Sequence, residues 1–181
     1  GNDRADIEDL KYFIYQRLKV FLRDQSLRHD LIDACVSLDK GEDLALSVKK
    51  SLALRDFIKT SDGSNLIQGF KRANNILLQA EQNDGVEYSY GADPKFAEED
   101  AERNLFDALD DEEVKIRSAL EEENFVEAMN SMANLRTPID NFFETVQINS
   151  DIDFIRRNRL NLLSRICKLC LSVADLTKVE G

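Results

Sequence analysis

Proline occurs only twice in 181 residues, at Pro94 and Pro138, and the rest of the chain runs through long stretches of Leu, Ala, Glu, Lys and Arg. Proline lacks the amide hydrogen and clashes with the preceding turn, so its scarcity leaves helices free to run. Seven glycines and no tryptophan complete the picture of a sequence with little material for tight hairpins and much for helix. The fold class that follows is all-α, a helical bundle of about seven to eight helices. Residues 1–181 read as a single helical domain, long enough to bury a real core.

Apolar spacing and capping residues place the helices. The first starts near Asp6 and carries Ile7, Leu10, Ile14, Leu18 and Phe21 on one stripe, expected to face the core. Asp30 caps a short helix with Leu31, Ile32, Cys35 and Val36, and Asp39-Lys40-Gly41-Glu42-Asp43 forms the next turn. A third helix carries Leu44, Val48, Leu52 and Phe57, and Ser61-Asp62-Gly63-Ser64 stops it and starts a fourth over about Asn65 to Glu81. Residues 83–94 are the one long irregular stretch, read as a mobile loop. An acidic helix over 95–123 follows, then a shorter one with Phe125, Ala128, Met129 and Met132. Thr137-Pro138 opens a helix with Ile139, Phe142, Phe143 and Val146, and the last helix runs from near Asp151 to about Leu176.

The net charge of −11 looks hostile to nucleic acid, but it is unevenly spread. Residues 93–127 hold 14 acids against four bases, which leaves 21 acids and 20 bases elsewhere. One acidic helix, expected to face solvent or another domain, therefore sits beside a nearly neutral body. The three cysteines have no framework spacing, and Cys167 and Cys170 lie in a helical pattern with no second ligand pair, so core thiols are expected rather than zinc. No apolar run approaches the roughly 20 residues that cross a bilayer, and a cytoplasmic location without membrane contact is the expectation. The sequence does not begin with Met and reads as part of a longer polypeptide.

Two polar blocks interrupt the apolar patterns: Gly69-Phe70-Lys71-Arg72-Ala73-Asn74-Asn75 and Arg156-Arg157-Asn158-Arg159. At 100° per residue with Phe70 facing inward, Gln68, Lys71, Arg72, Asn75 and Gln79 cluster on the far, wet side, while Asn74 falls on the buried side. Guanidinium and ammonium groups bind phosphates, and an amide one turn on can reach a base edge or ribose hydroxyl. An ordinary solvated helix face is the plain alternative. In the last helix Arg159 falls in the middle of the core stripe with Ile155, Leu162, Leu163 and Ile166. A guanidinium there needs a carboxylate, and Asp140 or Glu144 on the preceding helix is the expected structural partner. Arg17 lies near the stripe of the first helix and raises the same demand. Arg156, Arg157 and Arg28 are freer to meet a ligand. His29, the one histidine, has no companion nucleophile or metal ligand, so no catalytic site and no metal are expected.

Taken together, several blocks closely resemble one family. They are Arg28-His29-Asp30-Leu31-Ile32-Asp33-Ala34, Asp62-Gly63-x-Asn65-Leu66, Gly69-x-Lys71-Arg72-Ala73-x-Asn75-Ile76-Leu77, Pro138-Ile139-Asp140-x-Phe142-Phe143, Arg156-x-Asn158-Arg159-Leu160 and Val173-Ala174-Asp175. They resemble, in order and spacing, the C-terminal region of the bacterial glycyl-tRNA synthetase beta subunit. The resemblance implies an anticodon-binding-domain-like helical fold of the type that also ends arginyl-tRNA synthetase. It implies a tRNA-binding fragment of a ligase, lacking the active site, that supports ATP-dependent attachment of glycine to its tRNA. The implied partners are the tRNA for glycine, the alpha subunit and the remainder of the beta subunit, with no DNA. ATP and magnesium are implied for the holoenzyme, and no cofactor for this fragment. By that analogy Arg28, Lys71, Arg72, Asn75 and Arg156 become candidates to touch the anticodon arm. Unstacked loop bases need only local positive charge, so weak binding with a shallow salt dependence is expected. The competing reading is an acidic helical docking module without RNA contact, which predicts an apolar patch where RNA binding predicts an exposed concave face.

Overall fold

A computed structural model describes residues 2–36 and 43–180. Caps and breakers divide them into eight α-helices: α1 (Asn2–Asp24), α2 (His29–Cys35), α3 (Leu44–Phe57), α4 (Ser61–Asp84), α5 (Asp100–Glu121), α6 (Phe125–Ala133), α7 (Arg136–Thr145) and α8 (Asp153–Val173). No strand occurs among the described residues, so the all-α class holds. The expected turn at residues 39–43 lies, but for Asp43, outside the described residues. Asp43 itself caps α3, accepting the Ala45 N–H at 2.9 Å.

Local chemistry moves several boundaries from their expected places. The Thr60 hydroxyl accepts the Gly63 N–H at 3.0 Å, so Ser61-Asp62-Gly63-Ser64 is the first turn of α4 and not a break before it. Gly63 belongs there because a Cβ would lie 2.1 Å from the Phe57 carbonyl oxygen. The α4 helix continues to Asp84 and ends at Gly85, which takes the left-handed conformation at φ 65°. Helix α7 starts at Arg136, with Leu135 at the cap position that Thr137 was expected to take. Pro138 is still in the first turn, where no amide donor is needed.

Helix α8 is the axis of the molecule. Every residue from Asn158 to Ser164 is buried, and such a helix must be enclosed on all sides. Helices α4, α5 and α6 pack on it, α7 bridges α4 and α5, and α2 and α3 extend the body through α6 and the C-terminal turn Leu176–Lys178. Phe70, Phe142, Met129, Met132, Leu105, Leu109 and Ile116 fill the centre. Cys35, Cys167 and Cys170 are buried in the core, and burial pushes the Cys167 thiol up to about 12. The segment after α4, expected as a mobile loop, lies along α8. The Tyr90 N–H donates to the Asn161 amide oxygen at 3.2 Å, the Asp93 N–H donates to Asn158 at 2.8 Å, and the Tyr88 hydroxyl donates to Asp84 at 2.6 Å.

Arg159 is buried as its stripe demanded, but its partner is neither Asp140 nor Glu144. Its Nε and Nη2 donate to the two carboxylate oxygens of Glu102 in α5 at 2.9 and 3.0 Å, and Nη1 donates to the Gln147 carbonyl at 2.8 Å. Asp140 faces Arg136 instead, at 3.6 Å. The same Glu102 accepts the Glu98 and Glu99 N–H groups at 3.0 and 2.9 Å, so it closes the N-terminus of α5 as well. Burial alone would raise the Glu102 carboxyl, but Arg159 and these amides outweigh burial and hold it below the ordinary glutamate value. The acidic helix is thus not all solvated face: Glu102 is in the core, and buried Glu112 holds Lys115 at 2.8 Å and the Asn134 amide at 3.2 Å.

Helix α1 departs furthest from expectation. The stripe of Ile7, Leu10, Ile14 and Phe21 faces outward, and Arg17 is exposed, its guanidinium 5.4 Å from the centre of the Phe13 ring. The body is met by a different arc, Tyr15, Leu18 and Leu22, with the Tyr15 hydroxyl donating to Asp33 at 2.8 Å and Lys19 paired to the same carboxylate. Periodicity located an apolar stripe, but the body meets only its edge at Leu18 and the arc beyond it.

Candidate nucleic-acid interface

The outward side of α4 carries Gln68, Arg72, Asn75 and Gln79, all exposed. Asn74, expected on the buried side, is half-buried, and so is Lys71. Helix α7 crosses α4 at Gly69, where a Cβ would lie 3.2 Å from the Ile139 side chain. That close crossing sets Phe143 under Arg72, with the guanidinium carbon 4.5 Å from the ring centre. Phe143 is braced in turn by the fully buried Phe142, edge-on at 5.8 Å. No carboxylate is within ion-pair distance of Arg72 among the described residues. Its charge is uncompensated, and one face of a planar cation is fixed against a ring.

This ridge separates two grooves. The larger, of about 500 Å³, lies between the C-terminal half of α4 and the α7–α8 connection; Ile76, Val146 and Ile148 line it together with the amides of Gln79, Asn83, Gln147 and Asn149. The smaller, of about 370 Å³, is bounded by Asn65, Gln68, Arg136 and Asp140. There Arg136 is neutralised by Asp62 at 2.5 Å and by Asp140. A groove with an apolar floor, amide walls and a stacked cation at its lip can hold an unpaired base by its face and its edge. The face is exposed and concave, where a docking module would present an apolar patch.

The other sequence candidates are brought near this ridge only in part, and they are less free than their helix positions imply. The Arg156 guanidinium donates to Asp84 at 2.8 Å, to the Tyr88 hydroxyl at 3.1 Å and to the Asn149 amide oxygen at 3.2 Å, closing one end of the larger groove. Tyr88 and Arg156 together hold the Asp84 carboxyl below its ordinary value. The Lys71 ammonium donates to the Val179 carbonyl oxygen, and Arg28 donates to Asp30 at 2.7 and 3.1 Å and to the Glu180 carbonyl at 2.7 Å. Both are clasps on the C-terminal tail. Arg157 is exposed. His29, the first residue of α2, lies 3.4 Å from Asp33 one turn on. The residue that sequence reasoning passed over is Phe143. Its neighbour Phe142 takes the core position, and two successive aromatics on a helix cannot share one direction, which was the available signal.

Comparison with known proteins identifies relatives of this chain. Residues 66–180, from α4 to the C-terminal turn, match the DALR anticodon binding domain. Over 177 residues the chain is 60% identical to the "Glycine--tRNA ligase beta subunit" of Ruegeria sp. (strain TM1040), covering 98% of this chain and 26% of that protein. The protein of the same name from Dinoroseobacter shibae is 60% identical over 174 residues, and the one from Rhodospirillum centenum 42% identical over 174. The chain therefore spans about a quarter of the length of these relatives. With well over half of its residues matched, and with the helical architecture described above, the chain belongs to the DALR anticodon binding domain family.

Proposed function

We propose that this chain grips the anticodon arm of the tRNA for glycine, as part of the beta subunit of a cytoplasmic glycyl-tRNA synthetase. The observation that carries the reading is the Arg72–Phe143 ridge: an exposed, uncompensated guanidinium stacked on an aromatic ring between two grooves. Arg72 contacts a base face, and Asn75, Gln79 and Asn83 offer donors and acceptors to base edges and ribose hydroxyls. Arg156 closes the larger groove while Arg28 and Lys71 hold the C-terminal tail, and each, engaged inside the protein, meets phosphates only by exchanging a carbonyl or carboxylate partner. The relatives' name supports the ligase context. The alpha subunit and the rest of the beta subunit are the protein partners, and the glycine, ATP and magnesium chemistry belongs outside this chain.

The test is a titration, at fixed low salt, of the purified chain with the tRNA for glycine and with the same tRNA carrying altered anticodon bases. Tighter binding of the unaltered tRNA, weakened by Arg72→Ala, is expected. Equal binding of both tRNAs would sink direct base readout.

A further inference from the structure

We propose that the outward face of α1 is the docking surface for the remainder of the beta-subunit polypeptide. The inference rests on the reading that this chain is part of that subunit. On a helical wheel Tyr15, Leu18 and Leu22 fall on the arc that meets the body, while Ile7, Leu10, Phe13, Ile14, Val20 and Phe21 fall on a second, wide arc that starts beside Leu18 and runs round to the far side. The second arc is bare: Phe21 is 60% exposed, Leu10 57% and Phe13 55%. Single exposed apolar residues are ordinary on any surface, but six that line one helix over four turns form a contiguous patch of the kind that marks an interface. A helix whose apolar residues reach so far round its circumference is buried on more than one side. One body is the domain described above. Tyr15 and Lys19 fix the orientation toward it through Asp33, so α1 cannot roll to hide the second arc without breaking those bonds.

Three observations choose the occupant. The chain makes up 24–26% of the relatives it matches at about 60% identity, so some three quarters of such a polypeptide lies outside it. The match to the anticodon binding domain begins at residue 66, which leaves α1 outside the family's shared domain. Within the described body α1 packs chiefly on α2, so it is joined to the domain by its C-terminal half and bare elsewhere. The face is unsuited to RNA, because it carries a single cation, Arg17, among six apolar side chains with Asp6 and Asp24 at its ends.

The experiment compares the chain alone with the complete beta subunit, each bearing Leu10→Gln and Phe21→Gln. Amide hydrogen exchange across α1 and the melting temperature are measured in both, with the mass in solution of the chain alone. In the complete subunit the unsubstituted α1 is expected to exchange at least tenfold more slowly than in the chain alone. The substitutions should abolish that protection and lower the subunit's melting temperature, while leaving the chain's melting temperature unchanged. Equal exchange of α1 in both contexts overturns the proposal. So does a chain that dimerises alone and becomes monomeric on substitution, since a second copy would then be the occupant. Binding of tRNA by the chain alone is read separately, and its absence with α1 protected would overturn the RNA reading while leaving this one standing.

Discussion

Arg159 and Arg72 are the same residue set to opposite uses, and the difference lies in what surrounds them. Arg159 is buried, and its hydrogen bonds end on Glu102 and the Gln147 carbonyl, with Glu98 3.6 Å away as a further ion-pair partner. Arg72 is exposed, rests on Phe143, and has no acid within ion-pair distance among the described residues. A satisfied guanidinium fixes elements in place: this one ties α8 to the start of α5 and to the α7–α8 connection. An unsatisfied one on a rigid ring leaves its donors open to a ligand. The two are linked, because the connection that Arg159 pins through Gln147 is also a wall of the groove beside Arg72.

Removing Arg159 should therefore have the largest effect. Arg159→Met leaves the Glu102 carboxylate buried without its cation, which costs about 3–5 kcal/mol, read as a lowered midpoint in denaturant. Adding Glu102→Leu should recover part of that loss, although the Glu98 and Glu99 amides then lack their acceptor. A single substitution that changed the midpoint little would show that the pair is not a junction at all.

Acid provides a second way to open the same junction. The Glu102 carboxyl sits below its ordinary value in the folded protein, so its contribution is fully present above the unfolded glutamate value near 4.3. It is lost as pH falls through the depressed folded value. Asp30 and Asp33 are lowered too, against the opposing effect of burial, Asp30 by the Glu180 N–H and Arg28 and Asp33 by Lys19 and Tyr15, so the unsubstituted chain should lose stability over several such groups below about pH 4. The Arg159→Met/Glu102→Leu double variant should show a shallower acid limb in thermal melts. An unchanged limb would remove Glu102 from the account.

On the other side of the comparison, Arg72→Ala should leave the melting temperature nearly unchanged and weaken tRNA binding by about 1–3 kcal/mol, the range for loss of one stacked base. That is roughly a 5- to 150-fold rise in Kd. Arg72→Lys sharpens the test, because it keeps the charge and loses the planar face. Wild-type affinity for the lysine variant would mean that Arg72 acts on a phosphate rather than on a base.

The two arginines also mark how far a sequence can be read. Helical spacing put Arg159 on the core stripe and Arg72 on the wet face, and both positions hold. Spacing could not name Glu102, which is 57 residues away in a helix whose many acids look alike until the chain folds. Asp140 was nearer in sequence but points to Arg136. Lys71 sits on the outer side of α4 as spacing implied, yet the C-terminal tail returns to place the Val179 carbonyl against it. The outward stripe of α1 failed for a third reason. Periodicity says that a face is apolar and is silent on what covers it.

The smallest expected effect tests the geometry of the ridge itself. Gly69→Ala removes a poor helix former from the middle of α4, which favours the helix by about 1 kcal/mol. The new methyl group would lie 3.2 Å from the Ile139 side chain, so α7 must give by a few tenths of an ångström. These effects oppose each other, and the melting temperature should move by no more than a degree or two. Phe143 is one turn beyond Ile139 on α7, so the same shift carries the ring away from the Arg72 guanidinium. A two- to threefold loss of tRNA affinity, or about 0.5 kcal/mol, should accompany the nearly silent melt. An unchanged affinity would show that the ring supports Arg72 loosely, and that charge alone makes this face fit for RNA.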